Sequence, residues 1–165
     1  MEHFCFPPRV SPATPFRVTN NPVYLLFHSN GNIGPFLLRI AVAGIFFYHG
    51  AQKALGWFGG PGWSATIAKW ETAMSYPPSI TISVMVGELL IALSLWCGFL
   101  TRLSGLGVAI IMTGAVFTLA GSGGGIAEVE FPFLVGICGL SLLFLGGGGF
   151  SIDRAISKNL LPVVG

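Results

Sequence analysis

The side chains of this sequence that could do chemistry lie in two long apolar segments. Gln52 and Lys53 follow His49 by three and four residues in the first segment, so a helix would place them on the same face as His49. Glu88 lies near the middle of the second segment. Ionisable groups at membrane depth are costly, and they need a partner or a function. We therefore expect these four residues to form one polar intramembrane cluster.

Two interpretations of this cluster remain open. In the structural one, it is a hydrogen-bonded clasp between two helices, contributing about 1 kcal/mol. In the functional one, it binds the head group of a quinone or a lipid, or relays protons toward the outer face. A rise of about 1.5 Å per residue puts His49 within about one helical turn of the depth of Glu88. His49 is therefore the expected partner of Glu88, ahead of Gln52 and of Lys53, which is expected to snorkel to the interface.

The composition is that of a membrane protein. Of the 165 residues, 53% are hydrophobic and only 8% are charged, whereas a soluble domain has about a quarter charged residues. The net charge of +2 is small and dispersed, which excludes nucleic acid as a partner. The three cysteines lack the spacing of a metal or haem site, and no dinucleotide or phosphate-binding motif is present. We expect the chain to bind no metal and no covalently attached cofactor, and we do not expect it to be an enzyme on its own.

The apolar runs predict an all-α fold, an integral membrane four-helix bundle over residues 33–150. Residues 1–32 are interrupted by several prolines and predict an extended cytoplasmic tail. Residues 151–165 predict a short cytoplasmic segment, in which Ser151 caps a helix. The expected spans cover residues 33–55, 79–100, 103–120 and 131–149.

Several other residues suggest how the bundle sits in the membrane and what it contacts. A short amphipathic helix is expected over residues 64–74, with Lys69 and Glu71 toward water. Arg39 is expected to snorkel toward the headgroups. The expected interface anchors are Trp57, Trp63 and Trp70, the expected helix-packing glycines are Gly107, Gly114 and Gly121, and the expected partner-docking residues in the tail are Tyr24, Leu25, Leu26 and Phe27.

The distribution of basic residues predicts the orientation. With four spans, the tail, the turn at residues 101–102 and the C-terminal segment share one side of the membrane. That side has six of the eight Lys and Arg residues. By the positive-inside rule, both termini lie in the cytoplasm, as in a bacterial-type inner membrane.

Together, several short motifs make the sequence resemble the DoxX family of small four-helix membrane proteins. The resemblance covers roughly residues 33–150 and implies four transmembrane helices and an association with redox systems. Relatives include membrane subunits of thiosulfate:quinone oxidoreductase and partners of sulfur-handling and superoxide-handling enzymes. The residues that carry the resemblance are Arg39, His49, Gly50, Lys53, Gly56, Phe58, Gly59, Gly60, Gly62, Glu88, Gly98, Thr101 and Arg102.

The expected function is that of a small non-catalytic transmembrane subunit in a larger electron-transfer or quinone-linked complex. It would supply helix packing, contacts to lipid or quinone, and a docking tail to other membrane subunits. The alternative is a quinone-interacting catalytic subunit of an oxidoreductase of the thiosulfate:quinone oxidoreductase type. A transporter or channel is less favoured, because few polar groups are available to line a path.

Overall fold

The computed structural model describes residues 32–160. All of the regular secondary structure in this part of the chain is helical. The expected docking segment at residues 24–27 lies outside the described residues. A single 3₁₀ turn, Trp57–Gly59, follows the first helix. The helices are α1 (Ile33–Leu55), α2 (Gly62–Met74), α3 (Pro78–Cys97), α4 (Thr101–Gly121), α5 (Ile126–Leu145) and α6 (Ile152–Leu160).

Four of the helices, α1, α3, α4 and α5, are long and apolar enough to cross a membrane. The prediction of an all-α membrane protein with four spanning helices is confirmed. The most extensive contacts join α4 to α5, and the next most extensive join α1 to α3. The shared core consists of Val42, Ala43, Phe46, Ala92, Leu95, Val108, Val135 and Leu142.

Glycines and helix-end charges explain why the last span, α5, differs from its expected bounds. The helix α5 begins at Ile126 rather than at residue 131, with Glu128 in its first turn, where a negative charge interacts favourably with the helix dipole. Pro132 lies inside the helix, as spanning helices tolerate. The helix ends at Leu145 rather than at residue 149, because Gly146 has a positive φ of 76°.

The second span also ends earlier than expected. The helix α3 stops at Cys97, and Gly98 follows it in the left-handed conformation with φ of 66°. Leu100 has a positive φ as well, and α4 begins at Thr101. The turn between the two helices is therefore tight, and it brings backbone N–H groups of residues 100 and 101 toward the last helix.

The close crossing of α4 and α5 uses glycines other than the predicted ones. A Cβ atom on Gly139 would lie 2.6 Å from Val108 Cγ1 and 2.8 Å from the carbonyl oxygen of Gly105. Of the predicted packing glycines, only Gly107 faces a neighbour closely, namely Ile91 of α3. At Gly114 and Gly121, no atom of the described residues lies within 4 Å of such a Cβ, so the packing prediction is wrong there.

Because Gly139 is closely packed and Gly114 is not, replacing each with alanine should have opposite effects on the free energy of unfolding. Gly139→Ala should lower the free energy of unfolding by about 2 kcal/mol, because the backbone of α4 cannot move aside easily. Gly114→Ala is the matched control and should raise it by up to about 1 kcal/mol, since alanine favours a helix and meets open space. Unfolding in a detergent titration, followed by circular dichroism, measures both. Equal stabilities of the two variants would contradict a close crossing of α4 and α5 at Gly139.

Candidate functional site

An ion pair between α1 and α3 forms the centre of the candidate site. Lys53 Nζ lies 2.5 Å from Glu88 Oε1. Glu88 is 2% exposed and Lys53 is 24% exposed. The expectation that Lys53 snorkels away is wrong, and so is the expectation that His49 is the partner of Glu88.

Gly50 explains why Lys53 meets Glu88. A Cβ atom at Gly50 would lie 3.0 Å from Leu89 Cδ2 and 3.3 Å from Glu88 Cβ, so its absence lets α1 and α3 approach closely at this level. Lys53 follows one helical turn later and reaches Glu88. His49 turns toward α5 instead, where its ring centroid lies 6.3 Å from that of Phe131.

Gln52 also lies apart from the ion pair. Its backbone packs beneath Gly60, where any Cβ atom would overlap the backbone of Gln52. The glycine-rich loop after α1 therefore folds back onto the last turn of that helix. Of the four residues expected to cluster, the structure joins Lys53 and Glu88, and no hydrogen bond among the described residues links His49 or Gln52 to either of them.

The helix α2 fixes the position of Lys53. The buried hydroxyl of Thr66 lies 2.7 Å from the carbonyl oxygen of Gly62 and 3.1 Å from that of Lys53, which ties α2 to the end of α1. Lys53 Nζ then lies 5.5 Å from the centre of the Trp70 ring, a cation–π distance. Trp70 thus forms a wall beside the ion pair. Trp57 and Trp63 are exposed, and their role as interface anchors stays a prediction.

A cavity of about 340 Å³ lies between α2, α3 and α4, and the ion pair is part of its lining. Across it, the Tyr76 hydroxyl and Thr118 Oγ1 share a hydrogen bond of 2.7 Å, and Thr118 Oγ1 lies 2.8 Å from the carbonyl oxygen of Gly114. Glu88 Oε2 is buried and has no hydrogen-bond partner among the described residues. The other lining residues are mainly apolar: Trp70, Met74, Ile80, Val84, Ile110, Ile111, Met112, Ala115 and Leu119.

Sequence reasoning missed this cavity, together with Tyr76 and Thr118. One signal was available, because Ile111, Gly114, Ala115 and Thr118 follow the spacing of one helical face. That face of α4 combines small, apolar and hydroxyl side chains. Gly114 lies where this face lines the cavity, which accounts for its open surroundings.

A second polar group lies at the opposite end of the bundle, and we call it the terminal clasp (Arg39, Gly98, Phe150 and Asp153). Arg39 is 1% exposed, so the expectation that it snorkels is wrong. Its Nη2 donates to the carbonyl oxygen of Phe150 at 2.5 Å. A Cβ atom at Gly98 would overlap the guanidinium group, so the glycine makes room for it.

Asp153 joins the last helix to this clasp. It is 1% exposed, and its carboxylate accepts hydrogen bonds from the backbone N–H groups of Leu100 at 2.7 Å and Thr101 at 2.8 Å. It therefore caps the N-terminus of α4 from a distant part of the chain. Ser151 caps α6 itself by accepting from the Arg154 N–H at 3.2 Å, which confirms the predicted cap.

Comparison with known proteins gives one family. The family model described as DoxX matches residues 34–121, more than half of the chain. The match includes α1 to α4, and with them the cavity, the ion pair, Arg39 and Gly98, and it ends before α5. Searches of curated proteins and of solved structures gave no match.

Proposed function

We propose that this chain, which belongs to the DoxX family, is a small transmembrane subunit of a larger electron-transfer complex and binds the head group of a quinone. One observation carries the proposal: a mainly apolar cavity contains the Lys53–Glu88 ion pair. A well-formed apolar pocket with a few convergent polar groups is the usual form of a small-molecule site. The resemblance to subunits of redox systems points in the same direction.

The cavity has the size and chemistry for one substituted ring. Its volume of about 340 Å³ lies at the lower end of the range for ligand pockets, about 300–1,000 Å³. The aromatic ring of Trp70 and the flexible side chain of Met74 can contact the faces of a bound ring. The Lys53 ammonium can donate to a ring oxygen. The lining residues bind and orient the ring, and we assign electron transfer to a partner subunit.

Filling the cavity tests this proposal. With the protein in lipid nanodiscs, a ubiquinone with a single isoprene unit should quench tryptophan fluorescence in a saturable manner. Gly114→Leu places an isobutyl group in the cavity and should weaken this binding at least about tenfold, as expected for loss of most ring contacts. Gly121→Leu is the matched control, because Gly121 lies on the same helix in open surroundings outside the cavity lining.

The outcomes of this experiment separate specific binding from partition into lipid. Quenching that never saturates, or that is equal in the Gly114→Leu variant and in the control, would contradict the proposed site. Native sizing in mild detergent tests the subunit role. A stable large assembly supports it, and a lone monomer counts against it.

The alternative is a catalytic role, in which the chain itself is the quinone-reacting subunit of an oxidoreductase. The observation that favours it is Glu88, which lines the cavity and whose Oε2 is a buried acceptor without a partner in the described part of the chain. A carboxylate there could exchange a proton with a bound ring. Under this alternative, Glu88→Gln lowers quinone-linked turnover of the native complex more than it lowers quinone binding. Turnover and binding that fall together would favour the first proposal.

We propose that both termini lie in the cytoplasm of a bacterial-type inner membrane. In the described part of the chain, one end of the bundle has the basic residues Arg39, Arg102, Arg154 and Lys158, and the other end has Lys53 and Lys69. The positive-inside rule supports this orientation. The ion pair and the cavity then lie in the outer half of the membrane, on the side of α2.

A further inference from the structure

We infer that the cavity distinguishes the two redox forms of its ligand and binds a hydroquinone more tightly than the corresponding quinone. The inference rests on the proposed function, because it takes the cavity between α2, α3 and α4 as the ligand site. A hydroquinone has ring hydroxyl groups, which both donate and accept hydrogen bonds. A quinone has carbonyl oxygens, which only accept.

Glu88 has one carboxylate oxygen that lacks a donor. The residue is 2% exposed, and Lys53 Nζ occupies Oε1 at 2.5 Å. Oε2 is buried and has no hydrogen-bond partner among the described residues. As the anionic member of an ion pair, the carboxylate can only accept, so Oε2 needs a group with a hydrogen atom to donate. A buried acceptor without a donor is unfavourable.

The hydroxyl groups that line the cavity do not supply this hydrogen atom. The Tyr76 and Thr118 hydroxyl groups bond to each other, Thr118 Oγ1 also bonds to the carbonyl oxygen of Gly114, and neither hydroxyl bonds to Glu88 Oε2. Lys53 differs, because an ammonium group has three hydrogen atoms and its bond to Glu88 uses one. The ion pair therefore offers a ligand both a donor, on Lys53, and an acceptor, on Glu88.

A hydroxyl group complements both members of this pair. Its oxygen accepts from Lys53, and its hydrogen is donated to Glu88 Oε2. A carbonyl oxygen can accept from Lys53 but leaves Oε2 without a partner. Because Oε2 is buried, the ligand reaches it after a small movement of the cavity lining, and the unbranched Lys53 and Met74 side chains are flexible enough for that.

The expected size of the preference follows from the strength of one hydrogen bond to a charged group. Such a bond corresponds to about a ten- to hundredfold difference in affinity. Each tenfold difference shifts a two-electron midpoint potential by about 30 mV. Since tighter binding of the reduced form makes reduction more favourable, the bound couple should have a midpoint about 30–60 mV higher than the free couple.

The test compares three ligands that share one ring: durohydroquinone, duroquinone and the dimethyl ether of durohydroquinone. The ether keeps both oxygens and lacks the hydroxyl hydrogens. Calorimetric titration of the protein in nanodiscs should show the hydroquinone binding at least about tenfold more tightly than the quinone, with the ether no better than the quinone. This comparison uses the unaltered chain, so it does not depend on how a variant folds.

Substitution of Glu88 then tests whether its Oε2 is the acceptor for the ligand hydroxyl. Glu88→Gln introduces an amide that can donate to a carbonyl as well as accept from a hydroxyl, so the ratio of the two affinities should fall to near one. Glu71→Gln is the matched control, because Glu71 is exposed on α2, and it should leave the ratio unchanged.

The possible failures can be told apart. If none of the three ligands binds saturably, the proposed function fails. If quinone and hydroquinone both bind, with equal affinity or with the quinone tighter, the proposed function stands and the inference is overturned. An ether that binds as tightly as the hydroquinone would also overturn it, since the hydroxyl hydrogen would then contribute nothing.

Discussion

Replacing Lys53 with methionine should lower the free energy of unfolding by about 3 kcal/mol, and replacing Glu88 with methionine as well should restore most of that loss. The asymmetry arises because Glu88 is 2% exposed, and a single replacement leaves its carboxylate buried without its cation. Breaking one partner of a buried ion pair costs about 3–5 kcal/mol. An apolar pair of similar volume in the same place is often neutral or stabilising.

Detergent titration of the two single variants and the double variant gives the coupling between the residues. Lys69→Met is the matched control, because Lys69 is exposed on α2 and its loss should change stability by no more than about 0.5 kcal/mol. A Lys53→Met variant as stable as this control would show that the pair contributes nothing to folding. A double variant whose loss of stability equals the sum of the two single losses would show that the two residues act independently.

The double variant also separates stability from ligand binding. If an apolar pair holds α1 and α3 together as well as the ion pair does, packing alone does not require these charges. The double variant should then fold and lose its preference for a hydroquinone, because neither the donor nor the acceptor remains in the cavity. The stability of the fold would then depend on how the two side chains pack, and the selectivity for a hydroquinone would depend on their hydrogen-bonding groups.

The spanning helices could be predicted from the sequence because each depends on local composition. Apolar runs of about twenty residues have few stable conformations in lipid other than a helix. The predicted helix ends were less accurate, because they depend on the conformation of single glycines. Gly146 ends α5, and Gly98 ends α3. The amphipathic helix α2 and the cap at Ser151 also depend on nearby residues only, and both predictions were close to the structure.

The partner of Glu88 could not be predicted from spacing alone. Rise per residue gives the depth of a side chain in the membrane and says nothing about the direction in which it points around the helix axis. His49 and Lys53 lie about one helical turn apart along α1, and the close approach of α1 to α3 at Gly50 decides between them. That approach is a property of two helices together.

The terminal clasp was missed for a related reason. Arg39 and Asp153 lie in the first and last helices of the described chain, and no sequence pattern in either segment predicts a contact with the other. An arginine near the start of an apolar helix is normally explained by snorkelling. Here it is buried because the glycine at position 98 leaves room for the guanidinium and because the last helix folds back over it.

Replacing Asp153 with alanine should lower the free energy of unfolding by about 3 kcal/mol and release α6 from the bundle. The carboxylate accepts from the N–H groups of Leu100 and Thr101, and hydrogen bonds to a charged group contribute about 1.5–3 kcal/mol. The substitution also removes an acid that interacts electrostatically with the buried Arg39. Asp153→Asn keeps one acceptor oxygen, so its loss should be intermediate.

Hydrogen exchange detects this release directly, because it reports on each segment of the chain. In the Asp153→Ala variant, the amides of residues 152–158 and those at the start of α4 should exchange faster, while those of α1 and α3 beside the ion pair keep their protection. Lys158→Ala is the control on the same helix, since Lys158 is exposed. Unchanged protection of α6 in the Asp153→Ala variant would mean that apolar packing, and not this carboxylate, holds the last helix against the turn between α3 and α4.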